Sequence, residues 1–375
     1  MDPHAQFCPN LACRARGKVG ADNIRIHCRA DQRYYCTVCH QRFTATAGTP
    51  LHGLHTSTEV VVQVVTLLAY GCPLQAIVAA FGLDARTVAR WQQRAGDHCQ
   101  QVHERLVLGT PQDLGQVQAD ELRVRLQRGV VWLASAIAVP TGLWLGGVVS
   151  SHRDRRLAEA LARHVRAAAL CRPILIVFDG FAPYVRAFRQ VFRLAQPTGQ
   201  RGHPRLIPWP DLALGQVVKH TRQRRITHIE RRIVQGASAL LERLLSSTQA
   251  GGVLNTAYIE RLNGLFRAAF APLARRSRAT ARLSATLTAG MYLVGTVYNF
   301  CRSHESLAVE LVLPRGRRWL KRTPAIAAGL TDHPWSVHEL LTYKIAPPPY
   351  PSPRRRGRPT QAEAHVRSLF GQPPR

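Results

Sequence analysis

The chain has 375 residues and carries 51 Lys plus Arg against 22 Asp plus Glu, a formal charge of +29. This length suits two or three domains with at least one substantial core, and the charge points to a polyanionic partner, nucleic acid ahead of a membrane surface. A genome-level bias toward arginine explains the choice of cation but not its excess over acids, and arginine is the better bidentate phosphate ligand. Secretion and membrane insertion are both disfavoured. The opening MDPHAQFCPN lacks the apolar core of a signal peptide. The apolar run Val130–Val149 is long enough for a bilayer span, but Pro140-Thr141-Gly142 interrupts it, which predicts two buried strands joined by a tight turn. The expectation is a soluble, cytoplasmic, nucleoid-associated protein.

Residues 5–55 are rich in Cys and His. Cys8 and Cys13 form a C-x4-C pair, and Cys36 and Cys39 form a C-x2-C pair. Two such knuckles supply four thiolates to tetrahedral Zn²⁺, which holds together a segment too small for a core of its own. In a reducing compartment metal is favoured over disulfides. His27 or Cys28 could replace one ligand. Arg33, Tyr34, Tyr35, Arg42 and Phe43 serve either nucleic-acid contact or a small core. Cys72, Cys99, Cys171 and Cys301 read as plain core residues.

Residues 58–108 look helical. Gly82 suits a tight turn and Asp84 an N-cap, so 60–95 reads as a helix-turn-helix DNA-binding domain. In its second helix Val88 and Trp91 point inward, leaving Arg86, Thr87, Arg90 and Gln93 for the major groove. A plain three-helix bundle shows the same apolar pattern.

From about 115 to 195 strands come first, then a helix, a strand and a second helix; a basic mixed stretch (196–236) and helical material (237–305) follow. In GQVQADELRVRL, period-two alternation puts Asp120 on the apolar face with Leu122, Val124 and Leu126, while Glu121 faces oppositely. A carboxylate there is costly unless paired or bound to metal. Asp179 ends RPILIVFDG, a run typical of a buried central strand. In NTAYIERLNGLFRAAF, Asn255 or Thr256 can cap a helix whose polar face carries Glu260, Asn263 and Arg267. Leu262, Leu265, Phe266 and Ala269 would pack inward. Asp120, Asp179 and Glu260 together suit two divalent ions, Mg²⁺ or Mn²⁺, roughly 4 Å apart. Beyond Tyr343, Pro and Arg dominate and predict a disordered tail over 344–375.

With these features in this order, the chain resembles bacterial and archaeal insertion-sequence transposases of the DDE superfamily. The motifs that carry the resemblance are CPNLAC…YYCTVCHQRFTATAGTPL, QADEL, VFDGFAPY, NTAYIERLNGLFR, YNFCRSHESL and RTPAIAAGLTDHPWSVHELL. The resemblance implies a multidomain protein: a zinc ribbon (5–55), an all-α helix-turn-helix (58–108) and an α/β RNase-H-like catalytic domain with a mixed sheet (114–310). A C-terminal extension (311–343) and the basic tail complete it. Asp120, Asp179 and Glu260 match the catalytic metal ligands. Arg267 matches a basic position that tends to contact DNA, with Asn263 beside it. Tyr298, Asn299, Arg302 and His304 match a motif assigned only to packing or DNA contact. Arg123 stands where related chains often carry an aromatic, and Cys28 is an extra cysteine. Arg356-Gly357-Arg358-Pro359 resembles an AT-hook core, with a nonspecific basic tail slightly favoured. The implied function is DNA transposition by an oligomer on double-stranded DNA. The alternative is a DNA-binding regulator or decayed transposase that no longer cuts.

Overall fold

The computed structural model of the chain describes residues 1–196, 203–223, 225–248, 252–274, 281–313 and 316–351. The described residues form two compact units: residues 48–345, and residues 1–47 together with 346–351. In the small unit β1 (Ile24–Cys28), β2 (Arg33–Cys36) and β3 (Arg42–Thr44) form an antiparallel sheet in that order. Tyr34 is 2% exposed and stacks on Phe43, and both join Ile24 and the buried cysteines in the small core, while Arg33 and Arg42 are exposed. The Pro-rich tail, expected to be disordered from its start, begins as a docked segment of this unit. Arg16 donates to the carbonyl oxygens of Pro348 and Pro349, at 2.7 and 3.0 Å. A guanidinium exchanges water for two carbonyls there, which fixes the backbone of an otherwise featureless chain. Arg356 and Arg358 lie outside the described residues.

The large unit opens with α1 (Thr58–Ala69), α2 (Leu74–Phe81) and α3 (Ala85–His103), the last extended by a π-turn. Gly82 ends α2 at φ 60°, a conformation that costs other residues a Cβ clash. Asp84 accepts from the amides of Arg86 and Thr87, at 2.9 and 3.1 Å, and so starts α3. Three antiparallel strands follow, β4 (Gln116–Arg125), β5 (Val130–Ala138) and β6 (Trp144–Ser150). The apolar run 130–149 is thus a hairpin, and no helix among the described residues is long and apolar enough to cross a membrane.

Next come α4 (Arg155–Ala168), β7 (Ile174–Asp179), α5 (Pro183–Val191) and the short hairpin β8 (Arg193–Gln196) and β9 (Arg205–Pro208). A longer hairpin, β10 (Leu212–Arg222) and β11 (Arg225–Gln235), leads to α6 (Ser238–Thr248), α7 (Ala257–Ala269) and α8 (Ser284–Phe300). A last hairpin, β12 (His304–Leu313) and β13 (Gly316–Arg322), precedes α9 (Pro324–Ala327) and α10 (Val337–Thr342). The principal sheet has six strands in the order β11-β10-β7-β4-β5-β6. In it β7 runs parallel to β4 and β10, and the other pairs are antiparallel. The fold is therefore mixed α/β.

One apolar core runs through α1–α3, the sheet and α8. Gly96 makes this possible, because a Cβ there would sit 2.2 Å from the Ala289 carbonyl oxygen, so α3 and α8 approach closely only through glycine. Trp144 is fully buried, donates its indole N–H to Ser135 at 2.9 Å, and packs its ring on Gly295. Asn299 clamps the Trp144 backbone, accepting from its N–H and donating to its carbonyl, both at 2.9 Å. Tyr298 donates to the Gly142 carbonyl at 3.0 Å, and Arg302 donates to that of Ala69 at 2.9 Å. These three residues of the YNFCRSH motif hold the β5–β6 hairpin and α1 onto α8, which is packing. The helical material expected to 305 ends at Phe300. Of the four cysteines expected in the core, Cys99 is buried, Cys72 and Cys301 are half-buried, and Cys171 is exposed.

Candidate metal centres and cleft

In the small unit, the sulfurs of Cys8, Cys13, Cys36 and Cys39 all lie within 4.8 Å of one another. Cys8 and Cys39 are 3.6 Å apart and Cys13 and Cys36 3.8 Å, far beyond a disulfide bond. A Zn–S bond of about 2.3 Å requires a tetrahedral S···S edge of about 3.8 Å, so the cage has the size of zinc. Burial pushes the Cys8 and Cys13 thiols up. Burial also raises Cys39, but the Gln41 amide and the Asn10 side chain outweigh it, leaving Cys39 at about 7. Four such groups packed together without a cation are costly, and a bound dication supplies the missing charge. His27 and Cys28, on β1, stand outside this group.

The second centre begins with strand register. Ala119 of β4 pairs with Phe178 of β7, so Asp120 and Asp179 occupy the next matched positions on adjacent parallel strands. Strand β7 ends there. Beyond its end Glu121 has no neighbour on that side, and its carboxylate joins those of Asp120 and Asp179 within 4.8 Å. Period-two alternation had set Glu121 aside. Alternation assigns a face to each residue but says nothing about where the adjoining strand stops.

Helix α7 is seated over β4 by polar contacts. Gln118 accepts from the amides of Tyr258 and Ile259 at 2.9 and 3.0 Å and donates to the Asn255 carbonyl at 2.8 Å. It thereby fills the helix N-terminus, where orphan N–H groups need acceptors. Asn255 Oδ1 accepts from the Ala257 amide at 3.0 Å. Thr256 instead donates to Glu260 at 2.7 Å. One turn further on, Asn263 is 3% exposed and donates to Asp120 Oδ2 at 2.8 Å. Expected among the DNA contacts, Asn263 is placed as a buried partner of Asp120. Leu262, Phe266 and Ala269 are buried as expected, Leu265 is half-buried, and Arg267 is half-buried on the last turn.

Asp120, Asp179 and Glu260 all line one open cleft of about 500 Å³. Glu260 stands outside the 4.8 Å group of acids, bound to the Lys219 ammonium and the Thr256 hydroxyl. Arg153, from the turn before α4, lies against Glu121, with its Nε 2.5 Å from Oε1, and reaches within 3.6 Å of Asp179. Its guanidinium also stacks 4.0 Å from the Phe181 ring centre. Sequence spacing gave no sign of Arg153 or Lys219, since both come from loops or strands far along the chain.

Burial pushes Asp120 up to about 7, with the Glu121, Asp179 and Glu260 charges adding to it and the Glu121 amide opposing. Glu121 is raised by burial and by Asp179, against the pull of Arg153. Burial would raise Glu260 as well, but Lys219 and Thr256 bring it below the usual carboxylate range. The second Glu121 oxygen is buried too, and the Tyr184 hydroxyl and the Arg153 guanidinium both favour the ionised form of Glu121. Three carboxylates crowded within 4.8 Å, with Asp120 destabilised as an anion, suit a hard divalent cation with oxygen ligands.

On the second helix of the helix-turn-helix candidate, Val88 and Trp91 are buried, Arg86 and Arg90 are exposed, and Thr87 and Gln93 are half-buried. Gln93 donates to Asp97 at 2.8 Å. No protein-family model and no curated protein matches the chain.

Proposed function

We propose that the chain is a DNA transposase of the DDE kind, which cuts and joins phosphodiester bonds in the cleft of Asp120, Asp179 and Glu260. The observation that carries this reading is the placing of Asp120 and Asp179 one residue past the last registered pair of two adjacent parallel strands, Ala119 and Phe178, with Glu260 lining the same cleft. Support for an RNase-H-like sheet comes from the antiparallel meander β4-β5-β6 followed by β7 and β10 running parallel to β4. Mg²⁺ or Mn²⁺ held by Asp120 and Asp179 would activate an attacking oxygen and stabilise the leaving one. Asn263 orients Asp120 through its amide, and Gln118 fixes the height of α7 over the sheet. Arg153 and Lys219 line the cleft as cations suited to phosphate oxygens. Arg86 and Arg90, exposed on α3, suit recognition of element ends, and the four-cysteine unit suits a zinc ribbon. Joining two ends in one complex calls for an oligomer.

One observation favours the non-cutting regulator: Glu260 is engaged by Lys219 rather than gathered with the other acids. The test is a reaction of the purified protein with duplexes from the DNA flanking its own gene, in Mn²⁺. Nicked and joined products from wild type, absent with Asp179→Asn and Glu260→Gln, support the enzyme. Specific binding without cutting by any of the three supports the regulator.

A further inference from the structure

The stretch 219–232 holds six Lys or Arg and a single acid, Glu230. Its residues 219–229 are the outer part of the β10–β11 hairpin, while Arg231 and Arg232 stand at the root, opposite Val217 and Gln216. The inner residues of β10, Leu212–Val217, are buried and pair with β7 up to Val217 opposite Asp179. From Val218 to Arg222 the strand continues with β11 alone as its partner, and Lys219 to Arg222 are exposed. Five residues at about 3.4 Å each make a ribbon extending about 17 Å past the sheet. Its root lies in the cleft, whose wall includes Val217, Val218 and Lys219.

An isolated two-stranded ribbon is marginally stable in water and gains from a partner. The charge decides which partner. Arg225, Arg231 and Arg232 stand along the edge strand β11, all exposed, and charges on an edge oppose pairing with another strand. They match a polyanion instead. Ile226 and Ile229 are 56% and 36% exposed among these cations, and apolar side chains on a base-reading surface meet thymine methyl groups. A two-stranded ribbon also fits the duplex major groove, and about 17 Å spans about five base pairs.

We propose that the β10–β11 ribbon is a duplex-gripping arm, which holds the DNA immediately beside the bond lying in the cleft. This deepens, and rests on, the reading of the cleft as a DNA-cutting site.

The experiment measures binding of a fluorescent 30-base-pair duplex to the full chain as a function of salt. Wild type is compared with a double Arg→Ser variant and a double Arg→Lys variant at Arg222 and Arg225, which face each other at the tip of the ribbon. Each phosphate contact contributes about 0.9 to the log–log salt slope. The Ser variant should lose about 2 from that slope and bind at least tenfold more weakly at 0.15 M salt, while the Lys variant keeps the slope. A wild type with a steep slope that the Ser variant shares overturns the arm and leaves the cleft reading standing. Wild type that binds no duplex overturns both. A Ser variant that keeps its DNA slope but loses self-association also overturns the arm, and assigns the ribbon to a second copy.

Discussion

Replacing Asp120 by Asn should stabilise the metal-free protein at alkaline pH and destabilise it relative to wild type once Mn²⁺ is added. Folding moves this carboxyl from its ordinary 3.8 to about 7, chiefly by burial and then by the Glu121 and Asp179 charges. Between those two pH values the folded state binds more protons at this site than the unfolded state. Stability contributed by the site is therefore full below about pH 4 and is lost as pH rises through 7. The ionised form above pH 7 costs about 4 kcal/mol relative to the unfolded chain. Asn avoids that cost but weakens the charge-assisted bond from Asn263, by about 1.5 kcal/mol, leaving a net gain of about 2.5 kcal/mol at pH 8. Thermal unfolding in EDTA should thus show Asp120→Asn melting a few degrees above wild type at pH 8 and level with it, or below, at pH 4.5. Mn²⁺ at about one thousand times its Kd adds about 4.1 kcal/mol to wild type and little to the variant, reversing the order at pH 8. A variant that is less stable than wild type by the same margin at both pH values, with or without Mn²⁺, would refute the argument that the cleft strains an anion awaiting a cation.

Three further outcomes are expected. The chain should carry one zinc per molecule by elemental analysis, lost in Cys36→Ser and kept in Cys28→Ser, because only the former belongs to the four-sulfur cage. Gln118→Leu should cost about 2 kcal/mol in denaturant unfolding by leaving two amides of α7 unpaired, and should lower cleavage more than end binding. Asp84→Ala should cost about 1 kcal/mol through the lost cap, whereas Arg86→Ala with Arg90→Ala should leave stability unchanged and weaken end binding, read by anisotropy.

Local chemistry made much of this fold legible. Gly82 and Asp84 marked a turn and a cap because each answers a purely local demand, a positive φ or an orphan amide. Pro140-Thr141-Gly142 marked a hairpin for the same reason. Asp120 and Asp179 stood out because a carboxylate breaks an apolar strand pattern. What stayed hidden depends on register and on partners distant in sequence. Glu121 joins the acids only because β7 stops at Asp179, and Asn263 is buried only because α7 lies directly over Asp120. The β10–β11 ribbon gave no alternating pattern, since both of its faces are exposed beyond the sheet and carry cations alike.

The most direct measurement is an anomalous-scattering map at the manganese edge, from crystals of the full chain with Mn²⁺ and a flanking-end duplex. The account predicts manganese bound by Asp120 and Asp179, with Glu260 released from Lys219 and turned toward the metal. A map without manganese in the cleft, with Glu260 still on Lys219 and Arg153 still on Glu121, would contradict it.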